Sequence, residues 1–144
     1  MAERSRLSQL PGTHFAQSYV LNEPAADLTH EQVVWTNNHN ATVRLVSVGY
    51  IPEDTLTGAN TNSMNVELRN KGADGTGATV VTTVKSFLSG TNANAFTADA
   101  QTLSSTVADT DIDANETVVW RRTKVGTGLT MPAGVVIIGY QFSQ

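Results

Sequence analysis

The stretch from residue 62 to residue 90 carries two strand patterns separated by a glycine-rich loop, and it constrains the fold more than any other part of the chain. Met64, Val66 and Leu68 alternate with polar residues, which is the period of a strand with one face on a core and the other in water. Glycines recur in the segment 72–77, and β-branched residues dominate from Thr79 to Leu88. The pattern predicts a β-hairpin with a long tip.

Strand patterns also cover most of the remaining sequence, and no segment has helical periodicity. They lie at Thr13–Leu21, Glu31–Thr36, Ala41–Ile51, Leu103–Val107, Glu116–Arg122 and Val135–Phe142. About eight strands in 144 residues predict a single all-β domain over residues 13–144, an antiparallel β-sandwich of jelly-roll type. An immunoglobulin-like sandwich is the alternative. Residues 1–12, which end in Pro11-Gly12, are predicted to form an extended N-terminal arm.

The strand predicted at 41–51 has apolar residues on both faces. Val43 and Leu45 point one way under strict alternation, and a second set points the other way: Arg44, Val46, Val48 and Tyr50. Together with the nearly continuous apolar run Val135–Tyr140, this second face predicts contact with a neighbouring subunit. We therefore expect a homo-oligomer, and a trimer in particular.

The arm offers two charges and two apolar side chains on a segment that has no core of its own. These residues are Arg4, Arg6, Leu7 and Leu10. We expect the arm to become ordered on a partner, either the particle that the protein binds or a neighbouring copy.

Composition excludes several classes of partner and site. The chain has no cysteine, so neither disulfides nor a thiolate zinc site is expected. The first residues lack the apolar core of a signal peptide, and no apolar run is long enough for a membrane span. A net charge of −4 without an extended basic cluster argues against a nucleic-acid partner.

No residue pattern predicts a catalytic, metal or cofactor site. Asp109, Asp111 and Asp113 alternate like the start of a calcium-binding loop, but Ala114 and Trp120 stand where that motif needs glycine and glutamate. The three histidines lack ligand spacing, and the glycine-rich loop lacks the ending of a phosphate loop. Without paired carboxylates or a triad, an enzyme is not expected.

Four aromatic residues have two interpretations. Trp35, Trp120, Tyr50 and Tyr140 would form a sugar-stacking platform if they were exposed, whereas their apolar strand context favours a place in the core. We prefer the core interpretation.

Several loop motifs resemble a family of small tailed-bacteriophage virion proteins. They are Gly58-Ala59-Asn60-Thr61-Asn62, Leu68-Arg69-Asn70-Lys71-Gly72, Ala114-Asn115-Glu116, Gly126-Thr127-Gly128-Leu129 and Gly134-Val135-Val136. The resemblance covers roughly residues 40–142. It implies a jelly-roll capsid decoration, or cement, protein that bridges major capsid proteins on the outer surface of the virion, often as a trimer, after synthesis in the host cytoplasm. It brings no catalytic residues. A receptor- or carbohydrate-binding module of a head fibre or tail tip is the alternative.

Overall fold

The computed structural model describes residues 14–21 and 29–143, and nearly all regular structure in them is antiparallel β. The ten strands are β1 (Phe15–Leu21), β2 (His30–Thr36), β3 (Val43–Pro52), β4 (Ser63–Asn70), β5 (Thr79–Val80), β6 (Lys85–Ser86), β7 (Asp99–Gln101), β8 (Asp111–Ile112), β9 (Thr117–Val125) and β10 (Gly134–Phe142). A short 3₁₀ turn at Val107–Thr110 precedes β8. Within the described ranges there is no α-helix, and hence no helix long enough to cross a membrane.

The strands form two sheets that pack face to face. Sheet A has the order β1-β10-β3-β7, with β8 also on β3, and sheet B has the order β2-β9-β4-β5, with β6 also on β4. The pairs β5/β6 and β7/β8 each lie along one partner strand. When each pair is counted as one strand, the sheets read 1-8-3-6 and 2-7-4-5, the order of an eight-stranded jelly roll. The predicted all-β sandwich is confirmed.

The predicted central hairpin is present, but its second strand is interrupted. β4 pairs with β5 at Arg69↔Val80 and with β6 at Val66↔Lys85. Between these pairs the Leu68 carbonyl oxygen still accepts the Val81 N–H at 2.9 Å, but the Leu68 N–H donates to the Thr82 side-chain Oγ1, at 2.8 Å, and not to a backbone carbonyl. The next residue turns away from β4, since the Thr83 N–H donates to the carbonyl oxygen of Thr102, directly after β7, at 2.8 Å. The prediction of one continuous strand from 79 to 88 is therefore wrong in its middle.

Because β3 contains a β-bulge, the prediction of which β3 side chains share a face is wrong. Gly139 of β10 is opposite Ser47 and Tyr140 is opposite Leu45, so Val46 is an extra residue. An extra residue reverses the alternation beyond it. Val48 and Tyr50 therefore point into the core, where they are 3% and 0% exposed.

Two smaller expectations also change. The run 135–140 alternates: Val136 and Ile138 are buried between the sheets, while Val135 and Ile137 lie half-buried on the outer face. The weak strand predicted at 103–107 is wrong, because Leu103 makes only a single bridge and Val107 begins the 3₁₀ turn. The predicted arm lies outside the described residues.

Candidate polar site at one end of the sandwich

The predicted contact residues fall into three groups. Val46 lies on the outer face of sheet A, where its Cγ2 is 3.6 Å from the point that a Cβ on Gly139 would occupy. Val48 lies in the core, and so does Tyr50, whose hydroxyl donates to the Pro132 carbonyl oxygen at 2.9 Å. These two side chains are thus covered within the chain itself. The four arm residues, Arg4, Arg6, Leu7 and Leu10, are outside the described ranges.

The core interpretation of the aromatic residues is confirmed. Trp35 stacks on Tyr140 with a centroid distance of 5.2 Å, and Tyr50 lies 5.7 Å from Trp120 in a tilted pair. All four rings are buried between the sheets. A sugar-stacking platform built from them is therefore ruled out.

Four of the five motifs that carry the family resemblance meet in two clusters at opposite ends of β4, and the fifth, Gly134-Val135-Val136, begins β10. The first cluster lies at the Asn62 end of β4. There the Asn62 Oδ1 accepts a hydrogen bond from the Thr127 N–H at 3.0 Å. Gly126 has φ +65°, and a Cβ there would lie 2.5 Å from both this oxygen and the Thr61 carbonyl oxygen. The Gly58 N–H donates to the Asn92 side chain at 3.0 Å. Glycine is required at 126 for the loops to meet.

At the second cluster, the Asn70 end, the end of β4 joins the turn before β9. The Asn70 amide donates to Glu116 Oε2 at 2.6 Å, and the same oxygen accepts the Asp113 N–H at 2.9 Å. The backbones also pair, because the Lys71 N–H donates to the Thr117 carbonyl oxygen at 2.7 Å. Motifs more than 40 positions apart therefore form one structural unit.

A polar pocket of about 580 Å³ opens beside this second cluster. Its lining comes from both sheets and from the turn before β8: Thr42, Arg44, Asn70, Thr79, Ala108, Asp111, Asp113, Glu116 and Ser143. Three carboxylates and one guanidinium give it a negative balance, and Ala108 is its only apolar residue.

An ion pair organises one wall of the pocket. Arg44 donates from Nε to Asp111 Oδ1 at 2.8 Å and from Nη2 to Oδ2 at 2.9 Å. Ser143 Oγ donates to the same carboxylate at 3.0 Å. The hydrogen bond from Arg44 holds the pKa of Asp111 below its ordinary value. In the same pocket, Thr42 Oγ1 donates to Asp113 Oδ1 at 2.5 Å.

The alternating aspartates do not converge on one point. Asp111 pairs with Arg44, Asp113 accepts from Thr42, and Asp109 accepts from the Ser104 hydroxyl at 2.7 Å. No group of three or more histidine, aspartate or glutamate side chains in the described ranges is placed to hold a metal ion. What the pocket offers a ligand is a set of hydrogen-bond donors and acceptors without an aromatic face.

The comparisons with known proteins give no match. No protein-family model, no curated protein and no solved structure matches the chain.

Sequence reasoning found part of this pocket and missed the rest. The alternation of Asp111 and Asp113 is visible in the sequence, but it suggests only a metal site. Their actual partners, Arg44 and Thr42, lie 67 and 71 positions away along the chain. No local pattern links residues so far apart, since they become neighbours only when β8 pairs with β3.

Proposed function

We propose that this protein is a structural virion protein that decorates the capsid of a tailed bacteriophage and stabilises it by bridging neighbouring major capsid proteins. The proposal has one main support: four of the five motifs that resemble phage virion proteins come together in two loop clusters on a jelly roll. Jelly rolls are a common architecture of viral capsid proteins, although the same fold also serves lectins and enzymes.

The physical basis of such stabilisation is mass action. A protein that binds the assembled shell, and not its separated subunits, adds its binding free energy to the stability of the shell. The major capsid protein would be the partner, and the outer surface of the virion the location. The homotrimer implied by the resemblance stays a prediction, although Val48 and Tyr50 lie in the core and supply no contact for it.

Virions of the genome that encodes this chain provide the test. We expect the protein to be present in purified full heads, at a constant ratio to the major capsid protein. Particles made without it should release their DNA at a lower temperature, and added purified protein should restore the higher one. A genome without a tailed-phage capsid gene, or heads that lack the protein, would contradict the proposal.

Glycan binding is the second candidate, and the polar pocket is the observation that favours it. Hydroxyl, amide and carboxylate groups are those that bind sugar hydroxyls, and jelly rolls include lectins. Trp35→Ala would be a poor test because Trp35 is in the core. Asp113→Asn is better, since Asp113 is exposed in the pocket. If the pocket binds glycans, an array should give signals that this variant loses; no signal from the wild type would exclude this candidate.

A further inference from the structure

The outer face of sheet A carries no charged side chain over three consecutive rows of residues. The register places Val20, Val135 and Ile51 side by side in the first row. The other rows follow from the same pairings: Ser18–Ile137–Gly49–Ala100 is the second, and Ala16–Gly139–Ser47 is the third. With Val46 at the bulge, these eleven residues are called the uncharged face. Val20 is its most exposed large side chain, at 70%.

The outer face of sheet B, in contrast, carries several charged side chains. Glu31, Arg121 and Glu67 lie in one row across three strands. Arg121 approaches Glu31 at 3.8 Å and Glu67 at 3.7 Å, and Arg69 lies 2.8 Å from Glu67. Lys71 extends this charged face through an ion pair with Glu31 at 3.2 Å. The two outer faces of one sandwich therefore differ sharply in charge.

The side chains of the uncharged face differ in size from row to row, and this difference suits contact with a second copy. The first row has three β-branched side chains, and the third has an alanine, a glycine and a serine. A two-fold axis along the middle row would place the first row of one copy over the third row of the other. Each large side chain would then face a small one: Val20 over Ala16, Val135 over Gly139, and Ile51 over Ser47.

We propose that the uncharged face is a self-association surface on which a second copy of this chain docks about such an axis. Charge favours this occupant, because the chain carries −4 and two copies meeting here would oppose no like charges. The outer face of sheet B is a poorer self-association surface, because its carboxylates and cations already form ion pairs with one another within the chain.

The size of the face sets the strength of the pairing. Three rows span about 14 Å along the strands, and four strands span about 15 Å across them. With side-chain margins this is roughly 400 Å² per copy, half of what a standard stable interface buries on each partner. The pair should thus be weak and dependent on concentration. The inference does not depend on the capsid role, and failure of either proposal leaves the other standing.

Two matched valines test the surface in the full-length protein. Val20, 70% exposed, lies on the uncharged face, and Val33, 63% exposed, lies on the outer face of sheet B. Sedimentation equilibrium should show that the wild type and Val33→Lys associate as concentration rises, whereas Val20→Lys weakens association at least tenfold. A monomer at every concentration, or a concentration-dependent pairing that Val20→Lys leaves as strong as in the wild type, would overturn the proposal.

Cysteine cross-linking tests the axis, because the natural chain has no cysteine to interfere. Ser18→Cys lies in the middle row and should cross-link to itself through a short bis-maleimide. Ala16→Cys and Val20→Cys should cross-link to each other when mixed, and more efficiently than either does alone. Equal yields from all these combinations, or from a Val33→Cys control, would contradict the two-fold arrangement.

Discussion

The Ser47 side chain lies over the α-carbon of Gly139, in the space that any other residue at 139 would fill. A Cβ on Gly139 would lie 2.3 Å from Ser47 Oγ and 3.6 Å from Ser47 Cβ. The two residues are paired across β3 and β10, next to the bulge at Val46. The absence of a side chain at 139 thus lets the bulged strand stay close to its neighbour.

Gly139→Ala should lower the free energy of unfolding by about 1 kcal/mol or more, because the serine hydroxyl has to move. The cost should shrink when Ser47→Ala is added, since the close atom is then gone, and urea denaturation of the four proteins measures this coupling. Gly49→Ala is the control: Gly49 is on the same face, but the atom nearest to an added Cβ would be the Asp99 carbonyl oxygen, at 3.9 Å. If Gly139→Ala lowered the free energy of unfolding equally with serine and with alanine at position 47, the proposed close contact would be wrong.

Val48→Asp should unfold the protein, and not merely separate its copies. Val48 is 3% exposed, so the change buries a carboxylate among apolar groups and should cost more than about 3 kcal/mol. Val46→Asp, two positions earlier but on the outer face, should leave the denaturation midpoint nearly unchanged. A folded, cooperatively unfolding Val48→Asp protein would contradict the assigned faces.

The bulge shows where sequence reasoning succeeded and where it stopped. Strand positions followed from local alternation, as at Met64, Val66 and Leu68, all of which are fully buried. The faces of β3 could not be predicted from local alternation, because nothing in the neighbouring sequence marks Val46 as an extra residue. Its presence depends on the pairing with β10, about 90 positions later in the chain. The pocket depends on distant pairing for the same reason.

Asp111→Asn should reduce stability at neutral pH, and the reduction should vanish in acid. Arg44 lowers the pKa of the folded-state Asp111 carboxyl below its unfolded value of about 3.9. The stabilisation is therefore present above that value and is lost as the pH falls through the folded-state pKa. Denaturation of the wild type and of Asp111→Asn at several pH values gives the free energy of unfolding as a function of pH. The two curves should be parallel above about pH 5 and should converge below about pH 4. Arg44→Gln should remove the same pH dependence, and parallel curves throughout would contradict the pairing.

The tyrosines should ionise at a higher pH in the folded chain than in the unfolded chain. Burial raises the pKa of Tyr19 to about 12, and it also raises the pKa values of Tyr50 and Tyr140. Because these folded-state values lie above the unfolded value of about 10, their contribution to stability is present below pH 10 and is lost as the pH rises further. Phenolate absorbance should rise near pH 10 for the protein in urea and at a higher pH for the folded protein. Titration curves that coincide for the folded and the urea-denatured protein would show that the tyrosines are solvated.

Cryo-electron microscopy of virions from the encoding genome tests the proposed function most directly. The account predicts a jelly-roll density on the outside of the head, in contact with at least two major capsid proteins and absent from particles made without this gene. The same map would show whether residues 1–12 contact the shell. A jelly roll located only at the tail tip or on a fibre, or no density for this chain anywhere on the particle, would contradict the account.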